Sequence, residues 1–392
     1  SLSLSLYIYT NMSIYAMPNP QLCDAIADGV LDACLAMDST ASCLVRVAAK
    51  NNNIILLGSV HLHTAERPDL EQVVRDVMSL VGFDSEDKGC DYHSVEITNY
   101  IDVKSSNPET PHLGPDPIPG GQCGTLFAYA TDESPELMPL THLLATRLSL
   151  RLEEVRKQGI VSGLRPDGKT QVSIEYKRLP SGALKPLRIH TVVISAQHEP
   201  LVEVEALRGQ LMEHVVNAVI PQALVDKETL FHMNKSSRFV IGGPMADAGL
   251  TGRKIIVDTY GGWCPSSGAC FSGTDPKRVA RCGAYGLRTV ARSLVAAGLC
   301  HRCTIHTAYT PGPSCDPISI LVDSHQSIIK EGLTDSDLAN IVRRSFDLTP
   351  SGMTRWLRLD KGLPLRDTAT HGHFGHIGGI YTWEVQMPLT VE

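Results

Sequence analysis

Arg238 to Trp263 reads RFVIGGPMADAGLTGRKIIVDTYGGW. This one stretch holds Phe239, the carboxylate Asp247 and an adjacent basic pair, Arg253 and Lys254. Its apolar run from Lys254 to Val257 reads as a short buried strand. Downstream, Asp275-Pro276 has the form of an N-cap followed by proline at the first helical position, which predicts a helix running to about Ala297. Thr334 and Asp337 make a capping-box pattern ahead of Leu338, Ile341 and Val342.

Toward the N-terminus the same alternation holds. Leu22, Ile26, Val30, Ala33 and Met37 form a helical stripe, and strand-like Asn53 to Val60 follows. Leu70, Val73, Val74, Val77 and Val81 predict a second helix, entered through Pro68. Leu140 to Gln158 predicts a third, closed by Gly159. Leu187 to Ser195 reads as a strand, and Val202 to Val219 as a helix that stops at Pro221. Asn107 to Gly121, rich in Pro and Gly, reads as a linker or loop. Each third of the chain thus mixes strands with about two long amphipathic helices. That predicts an α+β protein built of α/β units, with helices on one face of each sheet.

The 392 residues suffice for two or three domains. Hydrophobic residues at 43% and charged residues at 20% are ordinary for a globular protein. A net charge of −7 argues against a nucleic-acid partner, which calls for a basic face. No apolar run is long enough to span a membrane. The chain opens SLSLSLYIYT, without a basic n-region, so a secretory signal is not expected. Met12 reads as one candidate start and a trimmed organelle-targeting peptide as another. The composition favours an intracellular, cytoplasmic protein. Eleven cysteines, odd in number and irregular in spacing, argue against a disulfide framework. Cys300 and Cys303 have CxxC spacing, but no second CxxC completes a zinc site, so they read as buried free thiols.

Further blocks decide the family. Cys23 to Asp38 reads CDAIADGVLDACLAMD, Phe127 to Glu133 reads FAYATDE, and Arg165 to Gln171 reads RPDGKTQ. Val193 to His198 reads VISAQH, Ser293 to Arg302 reads SLVAAGLCHR, and His371 to Gly375 reads HGHFG. With the opening stretch, these are colinear from about residue 12 to the C-terminus, and they closely resemble the S-adenosylmethionine synthetases (methionine adenosyltransferases). The resemblance implies three similar sheet-plus-helix units with pseudo-threefold symmetry, spanning 12–113, 119–238 and 239–379 and interleaved. It also implies a dimer joined by flat sheet faces, with ATP and methionine as ligands and magnesium and potassium as ions. In the family reaction the methionine sulfur displaces triphosphate from the ribose C5′ of ATP. A neutral thioether needs no base. The burden falls on cations and donors aimed at the leaving triphosphate, with carboxylates to hold the metal ions.

Carried over residue by residue, the resemblance places Asp167 and Lys169 at adenosine and phosphate contacts and Asp247 at the methionine. It matches Arg253 and Lys254 to a basic pair, Phe239 to the adenine side, and Arg278 to a second lysine. Asp167, Phe239, Arg253 and Lys254 are then the expected ATP contacts. Each alone also has a plain reading as an ion pair or packing residue.

Other family positions depart. The family's Gly-His-Pro-Asp-Lys corresponds to Met17-Pro18-Asn19-Pro20-Gln21, which puts Pro20 at a magnesium aspartate. The glutamate of its potassium site corresponds to Arg46. Gly-Glu-Ile becomes Gly58-Ser59-Val60, Gln-Gln-Ser-Pro-Asp becomes Val103 to Asn107, and Asp-Gln becomes Gln122-Cys123. The phosphate loop, His-Gly-Gly-Gly-Ala-Phe-Ser-Gly-Lys-Asp in the family, is Ser266 to Asp275, SSGACFSGTD, with Thr274 at the lysine. Ala280 stands at the second magnesium aspartate. No metal ligand is therefore expected, and magnesium and potassium would enter only if the chain were active. Loss of one preorganised donor costs on the order of 10²–10³ in rate.

The residues thus support a catalytically degenerate paralogue with a structural or regulatory role. It would be a homodimer, or a heteromer with an active paralogue or a larger complex. An active synthetase with a rearranged site and a nucleotide binder without turnover are the alternatives.

Overall fold

The computed structural model describes residues 6–13, 19–105, 124–235, 238–310, 316–376 and 378–391. The Asn107–Gly121 linker, Met17, Pro18, Gln122 and Cys123 lie outside the described residues. In the first third, β1 (Leu6–Ser13) precedes α1 (Asn19–Met37) and the hairpin of β2 (Ser42–Lys50) and β3 (Asn53–Leu62). Then come α2 (Leu70–Val81), a small hairpin of β4 (Asp84–Ser85) and β5 (Cys90–Asp91), and β6 (Glu96–Ser105). The middle third holds β7 (Gly124–Thr131), α3 (Leu140–Lys157), the long strands β8 (Leu164–Arg178) and β9 (Leu184–His198), α4 (Val204–Leu211), α5 (Asn217–Val219) and β10 (Leu230–Met233). The last third begins with α6 (Gly243–Ala246), β11 (Gly249–Leu250), α7 (Ile255–Asp258) and α8 (Val279–Ala296). It ends with β12 (Arg302–Tyr309), β13 (Ser319–Asp323), α9 (Asp335–Ser345), α10 (Pro350–Trp356) and α11 (Arg366–His371).

Three main sheets result, with strand orders β1-β8-β9-β10, β11-β2-β3-β6 and β13-β12-β7. Each takes a strand from another third of the chain. β1 pairs antiparallel with β8, from Leu6 opposite Lys177 to Ser13 opposite Thr170. β11 pairs with β2, and β7 with β12. Three hydrophobic clusters accompany the sheets. In the second sheet, Cys43, Val45, Val47, Ala49, Ile54, Leu56 and Val60 point into a core shared with α1 and α2. The alternate residues Leu57 and Tyr100 remain on the open face, 42% and 65% exposed. That is the helices-on-one-face layout expected from period-2 alternation. Trp263 is packed against two of the three clusters, and its indole N–H donates to Thr141 Oγ1 at 2.8 Å.

Two local readings need correction. Lys254 to Val257 is not a strand: Ile255–Asp258 is a helical turn, with Ile256 exposed and Val257 buried. The strand pairing of this segment ends at Leu250, opposite Ala48. Gly252, at φ +81°, then turns the chain off the sheet edge. A run of four apolar residues cannot by itself distinguish the two states. Asp275 is not an N-cap either, because α8 begins at Val279. The Asp275 carboxylate accepts instead from Ser42 Oγ, the Cys43 N–H, the Lys277 N–H and Arg278 Nε. A side chain that holds a distant strand in this way cannot also cap the helix. The capping box at Thr334 and Asp337 is present, as is Gly159 beyond α3 at φ +67°.

Candidate functional site

The site begins on α1. Its buried face carries two carboxylates one turn apart, Asp24 and Asp28, both essentially inaccessible to solvent. Asp24 Oδ1 accepts the Gly252 N–H at 2.8 Å, tying the 238–263 stretch to the helix. A Cβ on Gly252 would come within 2.7 Å of Cys270 Cβ, so the turn depends on glycine. Asp28 accepts the Gly273 N–H at 2.8 Å and receives Arg281 in a two-pronged ion pair at 2.8 and 3.0 Å. Arg281 also donates to Phe271 O, Thr274 O and Tyr285 OH, and Tyr285 OH is 2.8 Å from His373 Nδ1. A fully buried pair of this kind holds only because almost every donor and acceptor is used. Here it fixes the loop 266–275 to α1 and α8.

A second layer surrounds the pair. Burial pushes Asp24 up to about 7, and nearby Asp28 adds to the shift. Asp258 is also raised by burial, and then by Asp24 and Asp28. Lys254 is held below the ordinary lysine value by burial and by Lys169, while Asp258, Asp167 and Asp24 oppose that. Asp167 is buried, and its Oδ2 accepts the Gly243 N–H at 2.9 Å. Strand β8, helix α1 and the α7 turn thus bring Asp167, Lys169, Asp24 and Asp258 within electrostatic reach of Lys254.

The other expected residues are placed differently. Asp247 and Arg253 are exposed, and Asp247 Oδ1 accepts the Ala248 N–H. Phe239 meets His198 through its backbone, receiving from His198 N and donating to His198 Nε2. Arg278 is bound to Asp275 at 3.1 Å. Asp24, Asp28, Asp258 and Arg281 were not singled out from the sequence. The available signal was Asp24 and Asp28 inside the apolar stripe of α1, since carboxylates are rarely buried without a dedicated partner.

The loop 266–275 lies beside β2 along a cavity of about 360 Å³. Arg46, Leu126, Cys270, Thr274 and Ala280 are among its lining residues. Within the loop, Ser266 Oγ accepts the Gly268 N–H and Ser267 Oγ the Ala269 N–H. Two loop amides are therefore turned onto the loop's own hydroxyls. Cys270 is a half-buried thiol pushed up to about 12 by partial burial.

Residues for a divalent ion do not come together. Among the described residues, no group of three or more His, Cys, Asp or Glu side chains could hold a metal. Asp28 is committed to Arg281 and Gly273, and Asp275 to β2 and Arg278. Ala280 supplies only a methyl to the cavity wall. Nor does the site fit a monovalent cation, because the Arg46 guanidinium already donates to the oxygens there.

Cys300 and Cys303 are fully buried free thiols. No described helix is long and apolar enough to cross a membrane.

Sequence models of three domains match the chain in order. The N-terminal domain of S-adenosylmethionine synthetase matches residues 7–106, its central domain 118–239 and its C-terminal domain 241–385.

Proposed function

The chain belongs to the S-adenosylmethionine synthetase family, and we propose that it is a catalytically degenerate member with a structural or regulatory role in an oligomer. The observation that carries this reading is the phosphate loop. Synthesis needs positive charge and donors that meet the departing triphosphate. In this chain the loop's lysine is Thr274, whose hydroxyl donates to Cys270 O and accepts from Arg46. The magnesium positions are Pro20 and Ala280, and two loop amides are taken by serines. The scaffold contacts, by contrast, are made: Asp28 with Arg281, and Asp24 with Gly252.

The open face of the second sheet supports an oligomeric role. Leu57, Tyr100 and Leu250 lie exposed there, and apolar side chains exposed together on a sheet face favour a partner. The partner is a second copy, an active paralogue or a larger complex. In a heteromer the degenerate site would tune or scaffold its neighbour.

A second reading, an active synthetase with a rearranged site, rests on the cluster of Asp167, Lys169 and Lys254, in which burial raises Asp167 and lowers Lys254. In that case Asp247, Arg253, Arg278 and Phe239 would complete the contacts to ATP and methionine.

Assay of the isolated chain with ATP, methionine, magnesium and potassium separates the two. Negligible S-adenosylmethionine formation is expected. Turnover within about tenfold of an ordinary family member would overturn the degenerate reading, since loss of even one donor should cost more than that. Calorimetry with ATP-magnesium and with methionine then distinguishes a scaffold from a nucleotide binder.

A further inference from the structure

We propose that the Arg46 guanidinium is a covalently attached replacement for the monovalent cation expected at this place in the family, and that it fixes the loop 266–275 without any ion. Arg46 sits at the middle of β2, on the side turned away from the α1 core. Its Nη1 donates to Val45 O at 2.7 Å and to Ser272 O at 3.2 Å, and its Nη2 to Thr274 Oγ1 at 3.2 Å. Two carbonyls and a hydroxyl therefore converge on one positive group. Neutral carbonyl and hydroxyl oxygens are among the ligands that hard cations select.

The loop these bonds hold is also set on β2 by the Asp275 carboxylate and by main-chain contacts. Val45 N–H donates to Gly273 O at 2.7 Å, and Asp275 N–H to Cys43 O at 3.1 Å. Fit is tight: a Cβ on Gly273 would lie 2.2 Å from Val45 O.

The two departures at this spot compensate each other. A glutamate, a bound potassium and a lysine carry one net positive charge together. Arg46 with Thr274 carries the same charge with no ion. A lysine at 274 would bring a second cation against Arg46, whereas the threonine hydroxyl offers it an acceptor. Arg46 is thus a positioning residue, and a second cation at this place would meet its like charge.

The inference rests on the degenerate reading of the site but is tested apart from turnover. Thermal unfolding of the full chain is compared in potassium chloride and in tetramethylammonium chloride at equal ionic strength. The midpoints should agree within about 1 °C, because a bound ion would stabilise by mass action. The double variant Arg46→Glu with Thr274→Lys should acquire a potassium-specific rise of at least about 3 °C. Arg46→Ala should speed proteolytic cleavage within 264–275 by about tenfold or more, through a larger population of the opened loop. Arg46→Lys, which keeps the charge and the better chance of folding, should show an intermediate increase. A potassium-specific rise in the parent protein would overturn the proposal. So would cleavage of Arg46→Lys and Arg46→Ala at the parent's rate. Synthetase turnover in a parent that ignores potassium would overturn the degenerate reading and leave this one standing.

Discussion

Asp24 shows how much of this site is held by single buried groups. Its Oδ1 is engaged by Gly252, while its Oδ2 has no hydrogen-bond partner among the described residues. Burial is the main cause of a folded-state value near 7, against about 3.9 for a free aspartate. The folded protein therefore retains a proton that the unfolded chain gives up between about pH 4 and pH 7, so this group lowers stability as pH rises through that window. Asparagine keeps the acceptor for Gly252 and cannot ionise. Relative to the parent, Asp24→Asn should gain stability between pH 4 and pH 8, by on the order of 2 kcal/mol. Denaturant unfolding at a series of pH values measures the difference. A difference that is flat, or that moves toward the parent, would show that Asp24 ionises freely in the fold. Asp32 and Glu133, raised mainly by burial to about 6 and about 7, contribute in the same sense and remain in both proteins.

Several helix ends are held by contacts local in sequence. Helix α2 is opened by Asp69, whose side chain accepts from Gln72 N, and closed by Gly82 at φ +98°. Helix α9 opens with the reciprocal box, in which Thr334 Oγ1 accepts the Asp337 N–H at 3.2 Å and Asp337 Oδ2 accepts the Thr334 N–H at 2.9 Å. Such caps are worth about 1 kcal/mol each. Thr334→Ala should therefore lower stability by about 1 kcal/mol in equilibrium denaturation, with the midpoint moving and the slope unchanged. An effect below a few tenths would mean that packing of Leu338, Ile341 and Val342 alone sustains the helix start. These caps lie within three or four residues of each other, so local sequence specifies them. The start of α8 does not follow this rule, because the partners of Asp275 on β2 come from more than 200 positions away.

At the scale of the molecule, the three sheets cannot form independently. β1, β7 and β11 each complete a sheet whose other strands lie far off in the chain. Trp263 packs against two of the three clusters, which ties their burial together. The open face bearing Leu57, Tyr100 and Leu250 leaves apolar surface of the second sheet unburied. Light scattering of the purified chain, and of the assembly recovered from its native cell, should report a dimer or a larger species. A stable monomer at micromolar concentration in both would remove the basis for a structural role in an oligomer.

The sequence alone determined the family and the α+β layout. It also determined the long helices and the α9 capping box, though not the start of α8, because helical and strand periodicities and capping residues are local patterns, and the signature blocks are continuous. The resemblance also marks Arg46, Thr274 and Ala280 as departures from the family pattern, and the degenerate reading is proposed from them. What only the tertiary structure decided were relations across the chain. Lys254 to Val257 turned out helical because the strand pairing ends at Leu250 and Gly252 turns the chain off the edge. Asp28 meets Arg281 across 253 positions, and Arg46 meets Thr274 across 228. No periodicity announces such partners. A buried charge is stable only where its counter-charge arrives, and that arrival is set by how the sheets pack, not by the residues on either side.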